Sequence, residues 1–265
     1  MALSKAKLKE LRALATKKGR DEERKFLVEG VRLMHEAVGS GAEILEAYYT
    51  ADLLDQPAGR PLIQKLSRRT RPLEQVSARE LSSVADTIHA QGIVGVVRQK
   101  HATLESLLRK DDGESVLVAL DAVSDPGNLG TMIRTCDWFG VNGIFIGERS
   151  VEVVNAKVVR ATMGGIFHVP IVPDVDLPAA ISRARSVGYT VYVTDQNGET
   201  HFDRITYARK AVIVFGNEAW GVSDHVKSLA DIRVAIRRYG AAESLNVSVA
   251  CGVVLSALHR LYDDE

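Results

Sequence analysis

Ile236-Arg237-Arg238-Tyr239-Gly240-Ala241-Ala242-Glu243-Ser244-Leu245-Asn246-Val247 is the stretch on which the reading of the fold turns. A short β-run (Ile232, Val234, Ile236) leads into it. Gly240 with its small neighbours reads as a loop, and Ser244 and Asn246 are residues that favour helix N-caps. Behind them Val247, Ala250, Cys251, Val254, Leu255, Leu258 and Leu261 recur at helical spacing and give one apolar face. A strand, a Gly-containing loop and a polar helix start form a common ligand-holding place in an α/β protein.

Working back from that stretch, apolar runs follow one another: Val116 to Leu120, Gly143 to Ile146, Val169 to Val172, Tyr189 to Val193 and Ala211 to Phe215. Near-continuous apolar strands alternating with helices predict a parallel sheet covered on both faces. By periodicity alone this is an ordinary doubly wound fold, since true knots are essentially absent from proteins.

The front of the chain has a different texture. Lys5 to Arg24 is a basic helix-like stretch, Phe26 to Val28 a strand, Gly30 to Val38 a helix and Ile44 to Tyr49 a second strand. Pro61 to Leu66 reads as helical, Leu73 to Val76 and Ile93 to Val97 as strands, and Ala78 to Val84 as a short helix. This alternation predicts a small separate α/β/α domain over residues 1–105. A charged helical linker over 106–114, within Thr103 to Asp112 and its flank, would join it to the domain at 115–265.

Charge divides along the same line. Residues 1–110 carry 20 Lys+Arg against 14 Asp+Glu, and residues 111–265 carry 14 against 20, so +6 faces −6 in a chain of net charge zero. A basic front half suggests a polyanion gripped mainly there, while solvated faces that differ only in sign explain the same numbers. A hydrophobic share of 46% with 26% charged residues is that of a soluble globular protein. No apolar run approaches membrane-spanning length and the start lacks a signal-peptide core, so a membrane partner is not expected. Cys136 and Cys251 lie far apart inside predicted helices without Cys-x-x-Cys spacing, so buried free thiols fit better than a metal site. A reducing cytoplasm suits them.

Two further segments complete the first. One is Asp125-Pro126-Gly127-Asn128-Leu129-Gly130, with Arg134 four residues on; the other is Phe215-Gly216-Asn217-Glu218-Ala219-Trp220-Gly221-Val222-Ser223. In this order and spacing, the three resemble the motifs of the SpoU/TrmH family of RNA ribose 2′-O-methyltransferases, in the knotted SPOUT superfamily. The resemblance covers roughly the last 150 residues. It replaces the ordinary fold with a parallel-sheet SPOUT domain carrying a trefoil knot near the C-terminus. Arg24 to Arg32 resembles, more weakly, the N-terminal substrate-binding domain of many such enzymes, whose fold is shared with a small ribosomal protein that binds kinked RNA.

The resemblance implies S-adenosyl-L-methionine as cofactor, held by the backbone around Gly216, Ile236 and Leu245 with Thr194 and Asn217 close by. Ile236 and Leu245 as core residues, and Gly216 as a mere turn, are the plain structural alternative. Arg134 is implied to be catalytic, often described as a general base. A guanidinium keeps its proton near neutral pH, so stabilising the developing alkoxide or clamping a phosphate is the consistent alternative. Glu218 would orient Arg134 or Asn128, and Ser244 and Asn246 would hold either the ribose or the helix start. Phosphate contacts are expected from Arg24, Lys25, Arg32, Arg68, Arg69 and Arg71, with Lys17, Lys18 and Arg20 adding to them. The family further implies a homodimer and a ribosomal RNA substrate, with the large subunit favoured.

Two departures stand out. Many members carry Pro-Met after the position of Ile236, where this chain has Arg237-Arg238, and Ala219 replaces the Gly common after the motif glutamate. A dehydrogenase or Rossmann-type methyltransferase should show G-x-G-x-x-G or an acidic-x-Gly-x-Gly run after its first strand, and only Asp-Pro-Gly-Asn-Leu-Gly is present. A non-catalytic RNA-binding protein with the knot as scaffold is the competing reading. The presence of Asn128, Arg134, Glu218, Ser244 and Asn246 together argues against it.

Overall fold

The computed structural model describes residues 3–86, 91–108 and 113–260, without the side chains of 259 and 260. Leu261 and residues 109–112 of the expected linker lie outside the described residues. In chain order, the first elements are α1 (Lys5–Ala13), α2 (Lys17–Glu23), β1 (Lys25–Glu29), α3 (Val31–Ser40), β2 (Ile44–Tyr49) and α4 (Gly59–Leu66). Next come β3 (Leu73–Gln75), α5 (Ala78–Ser82), β4 (Ile93–Arg98), α6 (Leu104–Leu107), β5 (Ser115–Leu120) and α7 (Pro126–Trp138). After these follow β6 (Gly143–Gly147), α8 (Ala156–Ala161), β7 (Ile171–Val175), α9 (Leu177–Ser186), β8 (Thr190–Thr194) and β9 (Thr200–His201). The chain closes with β10 (Lys210–Phe215), α10 (Asp224–Lys227), β11 (Ile232–Ala235) and α11 (Val247–Arg260).

These elements form two compact units, Met1–Lys100 with Val154–Phe167, and His101–Val153 with His168–Glu265. In the first, the sheet order is β1-β4-β2-β3, with β2 and β3 parallel and the other pairs antiparallel. The basic stretch expected as one helix is two. The first ends at Ala13, and Thr16 caps the start of the second, its side chain accepting from the Gly19 amide. Arg20 is correspondingly not a surface cation: it is buried, and its Nη1 donates to the carbonyls of Leu14 and Ala15. A guanidinium is well suited to gather carbonyls left unpaired where one helix ends.

The core of this unit unites Phe26, Val28, Met34, Leu62 and Ile93 with Val154 and Val159 from the later segment. The expected division at residue 115 puts this segment in the other domain, yet it packs here. No periodicity signal marks residues 154–167 as belonging to the front unit, because an apolar helix face does not state which core it will enter.

The second unit is built on seven strands in the order β7-β6-β5-β10-β8-β11-β9. All six pairings are parallel. Every residue of β5 and β6 is buried, as expected for strands covered on both faces. Because the strands run one way, the C-terminal ends of β5, β10, β8 and β11 stand side by side at one edge. That edge is where ligands sit in open α/β sheets. The loops leaving it are those that carry the three motifs and Thr194.

Candidate active site

The first motif loop leaves β5 in register with β10, the Asp121 amide donating to the Phe215 carbonyl at 2.8 Å. Asp125 then caps α7, its side chain accepting from the Asn128 amide, and Pro126 fills the first helical turn where no amide partner is needed. This start fixes Asn128 at the sheet edge.

The second motif loop folds back on itself. Asn217 and Gly221 exchange backbone hydrogen bonds of 2.9 and 3.0 Å, and the Asn217 side chain accepts from the Ala219 amide at 2.8 Å. Its Nδ2 donates to the Ala122 carbonyl at 2.7 Å, tying this loop to the first. Ala122 has φ of 58°, a left-handed conformation that costs a non-glycine residue on the order of 1 kcal/mol or more and needs such a tie. At Gly216, a Cβ would lie 2.1 Å from the Gly221 carbonyl carbon and the Val222 nitrogen. Glycine is therefore demanded here by the approach of the chain's own backbone.

Glu218 sits at the centre. Its Oε1 accepts from the Asp125 amide at 3.1 Å and from Asn128 Nδ2 at 3.0 Å, and its Oε2 accepts from the Ser124 hydroxyl at 3.1 Å. Burial opposes ionisation of this carboxyl. The hydrogen bonds from the Asn128 side chain and from the amides of Glu218, Asp125 and Ser124 outweigh it and hold the pKa below the ordinary value.

The third loop closes the arrangement. Asn246 Nδ2 donates to Asn128 Oδ1 at 3.0 Å, while Asn246 Oδ1 accepts from the amides of Ser248 (2.9 Å) and Val249 (3.3 Å). Asn246 thus caps α11 and holds Asn128 at once. Glu218, Asn128 and Asn246 form one hydrogen-bonded chain across all three motif loops.

Arg134 is placed otherwise. It is exposed, and its side chain has no hydrogen bond or ion pair among the described residues. Six residues separate it from Asn128 along α7, which turns it about 120° around the helix axis. Glu218 therefore orients Asn128 and not Arg134. Ser244 is exposed and without a side-chain partner among the described residues.

Among the residues expected near the cofactor, Thr194 donates its hydroxyl to the Val214 carbonyl at 2.9 Å, and Asn217 is engaged as above. Ile236 is half-buried and Leu245 is 49% exposed. Across residues 236–245, the only hydrogen bond to main chain among the described residues is the 3.4 Å approach of Arg238 Nη1 to the Ala242 carbonyl. The main-chain groups of this exposed loop are not committed to the fold, so a bound molecule can meet them in place of water. The residues present fit an adenosyl group held by backbone.

Asp121 and Ser124 escaped the sequence reading. Asp121 is buried and accepts from the Ser223 amide at 2.8 Å and from Arg149 Nη2 at 3.3 Å, a second staple between the first two loops. Its signal was an acid at the end of an otherwise apolar strand.

The expected front-unit cations are mostly at the surface: Arg24, Arg32, Arg68, Arg69 and Arg71 are exposed. Lys25 is half-buried, with its ammonium 3.0 Å from Glu23. Arg69 donates to the Val38 carbonyl at 3.3 Å. Cys136 and Cys251 are both buried free thiols. A hydrogen bond to Cys251, together with burial, pushes the Cys136 thiol well above its usual value. The described residues contain no cluster able to hold a metal ion, and no helix among them is long and apolar enough to cross a membrane.

Comparison with known proteins agrees with this geometry. Residues 115–256 match the SpoU rRNA Methylase family, and residues 5–95 match a domain described as MRM3-like substrate binding. The chain is 30% identical over 255 residues to the 23S rRNA (guanosine(2553)-2′-O)-methyltransferase RlmP of Bacillus subtilis, covering 94% of each. It is 29% identical over 203 residues to the 23S rRNA (guanosine-2′-O-)-methyltransferase RlmB of Neisseria meningitidis, covering 76% of this chain and 81% of that one. The AdoMet-bound rRNA methyltransferase from Sinorhizobium meliloti superposes with a TM-score of 0.86 at 31% identity, covering 98% of this chain and 96% of the other. With the family model spanning more than half its length, this chain belongs to the SpoU rRNA methylase family.

Proposed function

We propose that the chain transfers a methyl group from S-adenosyl-L-methionine to a ribose 2′-hydroxyl of large-subunit ribosomal RNA. The observation that carries this reading is the chain Glu218–Asn128–Asn246, which joins three loops from distant parts of the sequence at one sheet edge. Family membership and the names of the Bacillus subtilis and Neisseria meningitidis relatives support ribosomal RNA as substrate. The AdoMet-bound Sinorhizobium meliloti structure supports the cofactor.

The cofactor supplies a methyl group on a sulfonium, which needs little activation. The protein's work is then to hold the ribose hydroxyl in line and ease the loss of its proton. Main chain at Gly216, Ile236 and Leu245, flanked by Thr194 and Asn217, holds the cofactor. Glu218, kept ionised by its donors, fixes Asn128, whose remaining hydrogen-bonding capacity meets the ribose beside Ser244. Arg134, free of any carboxylate among the described residues, stabilises the forming alkoxide or clamps the neighbouring phosphate.

The residues at 1–105 capture RNA through Arg24, Lys25, Arg32, Arg68, Arg69 and Arg71, with 106–114 as the link to the methyltransferase domain at 115–265, whose segment 154–167 packs with the front unit. A homodimer in the cytoplasm is the working form. Trp138, 84% exposed on α7, and Val249, 50% exposed on the packed helix α11, support a partner surface there. Arg134 shares the Trp138 face, one turn earlier, so a second copy at that face would stand beside the site.

Calorimetric titration with S-adenosylmethionine, followed by nucleoside analysis of ribosomal RNA treated with the protein, tests the reading. Cofactor binding with a 2′-O-methyl product is expected. A folded protein that binds RNA but no cofactor would make it a non-catalytic RNA-binding scaffold.

A further inference from the structure

We infer that Arg237, Arg238 and Tyr239 form a second RNA grip, on the methyltransferase unit itself, which holds single-stranded RNA next to the target nucleotide. The inference rests on the reading of the chain as an RNA methyltransferase and adds to it a residue set and the form of RNA it takes.

The first observation is exposure. Arg237 and Arg238 are both at the surface, and Tyr239 is 88% exposed. A phenol ring so exposed gains nothing from the protein core; its face is available to a nucleobase.

The second is missing compensation. Elsewhere in the same unit, Arg183 pairs with Glu105 at 3.0 Å and Arg185 with Asp231 at 2.6 Å, while the exposed Arg134, Arg204 and Arg233, without side-chain partners among the described residues, are not adjacent in the chain. Neither Arg237 nor Arg238 has a carboxylate partner among the described residues, although the exposed Glu243 lies on the same loop. Arg238 makes only the long approach to the Ala242 carbonyl. Two adjacent uncompensated guanidinium groups form a phosphate site by charge and by fork geometry.

The third is position. The segment leaves the C-terminal edge of β11 and runs into Asn246, which holds Asn128. The cations and the ring therefore belong to the loop that closes the site, where the strand flanking a bound ribose must pass. Stacking on an aromatic side chain needs an unstacked base, so the fit is to single-stranded RNA and not to a duplex.

The test uses the full chain and a short fluorescein-labelled single-stranded RNA of mixed sequence, with binding followed by anisotropy over a range of salt. The double variant Arg237→Ala, Arg238→Ala should flatten the slope of log affinity against log salt by about 1.4, at about 0.7 for each single-strand phosphate no longer neutralised. Tyr239→Leu should weaken binding roughly five-fold or more, and Tyr239→Phe should keep it. Thermal melting and cofactor affinity should stay at wild-type values in all three. Unchanged RNA affinity and slope would overturn the proposal, as would an equal loss of cofactor affinity, which would mark a deformed loop. Equal losses on a duplex probe would overturn the single-strand assignment. Methyl transfer by the wild type is scored separately: its absence, with the binding pattern intact, would sink the enzyme reading and leave the grip standing.

Discussion

Asn128 and Glu218, 90 residues apart in the chain, are joined by a 3.0 Å hydrogen bond from the Asn128 side-chain amide to Glu218 Oε1. The bond links the start of α7 to the loop after β10. It works because β5 and β10 are parallel neighbours in register, so that both loops leave the sheet at the same level. The carboxylate answers donors from Ser124, Asp125 and Asn128, and its role is to hold the asparagine and the loop around it.

Glu218→Gln replaces one acceptor oxygen by a donor and leaves at least one of those donors unanswered. Stability should fall by about 1–2 kcal/mol. Turnover should fall while cofactor affinity is largely kept, since the cofactor loops are otherwise intact. The pH dependence has a definite sign. Because the folded-state pKa of Glu218 is lowered, its contribution is fully present above the unfolded carboxylate value of about 4.3 and is lost as pH falls through the depressed one. The gap in melting temperature between wild type and variant should therefore be constant near neutrality and narrow below about pH 4.

Gly216→Ala should destabilise the protein by about 1–3 kcal/mol or more, because the added carbon meets backbone at 2.1 Å that cannot swing aside. Gly240→Ala, in open space on the third loop, should stay within about 0.5 kcal/mol of wild type. Denaturant titration of the pair checks both.

Asn246 does two things that substitution can separate. Asn246→Ser keeps a helix-capping oxygen but cannot reach Asn128, so stability should be nearly unchanged while methyl transfer drops. Asn246→Ala should lose both, with about 1 kcal/mol of stability gone. Equal activity in the two variants and the wild type would remove Asn246 from the site.

How much of this was legible beforehand depends on how local the cause is. The Asp125-Pro126 helix start and the apolar strands are set by neighbouring residues, and they read directly; of the two cap candidates Ser244 and Asn246, the fold selects Asn246. The break at Thr16 and the burial of Arg20 were missed because a basic stretch looks the same whether its cations face water or collect carbonyls. Asp121 and Ser124 act on partners about 100 residues away, and Val154 and Val159 enter the core of the front unit. Such pairings come from the order of strands and the path of the chain, which no local pattern states.

Arg20 and the exposed front cations should separate cleanly in experiment. Arg20→Met removes the donors to the Leu14 and Ala15 carbonyls and should cost about 1–3 kcal/mol of stability. Arg68→Ala with Arg71→Ala should leave stability within about 0.5 kcal/mol and weaken RNA binding with a shallower salt dependence. Substitution is the right tool here. Deleting residues 1–105 would strip Val154 and Val159 of their core partners and confuse folding with RNA capture.

The central claim is that the three loops build a methyl-transfer site in which Arg134 acts on the reacting ribose. Its most direct test is methyl transfer from labelled S-adenosylmethionine to RNA by Arg134→Ala, with cofactor affinity measured alongside. Arg134 has no partner within the protein among the described residues, so its loss should leave folding and cofactor binding near wild type. An interaction made only in the transition state lowers the rate without a matching change in binding. The account predicts near-complete loss of transfer in Arg134→Ala. Arg134→Lys should remain badly impaired, because a point charge replaces a two-pronged clamp poorly. Close to full turnover in Arg134→Ala would contradict the account and place the catalytic centre elsewhere.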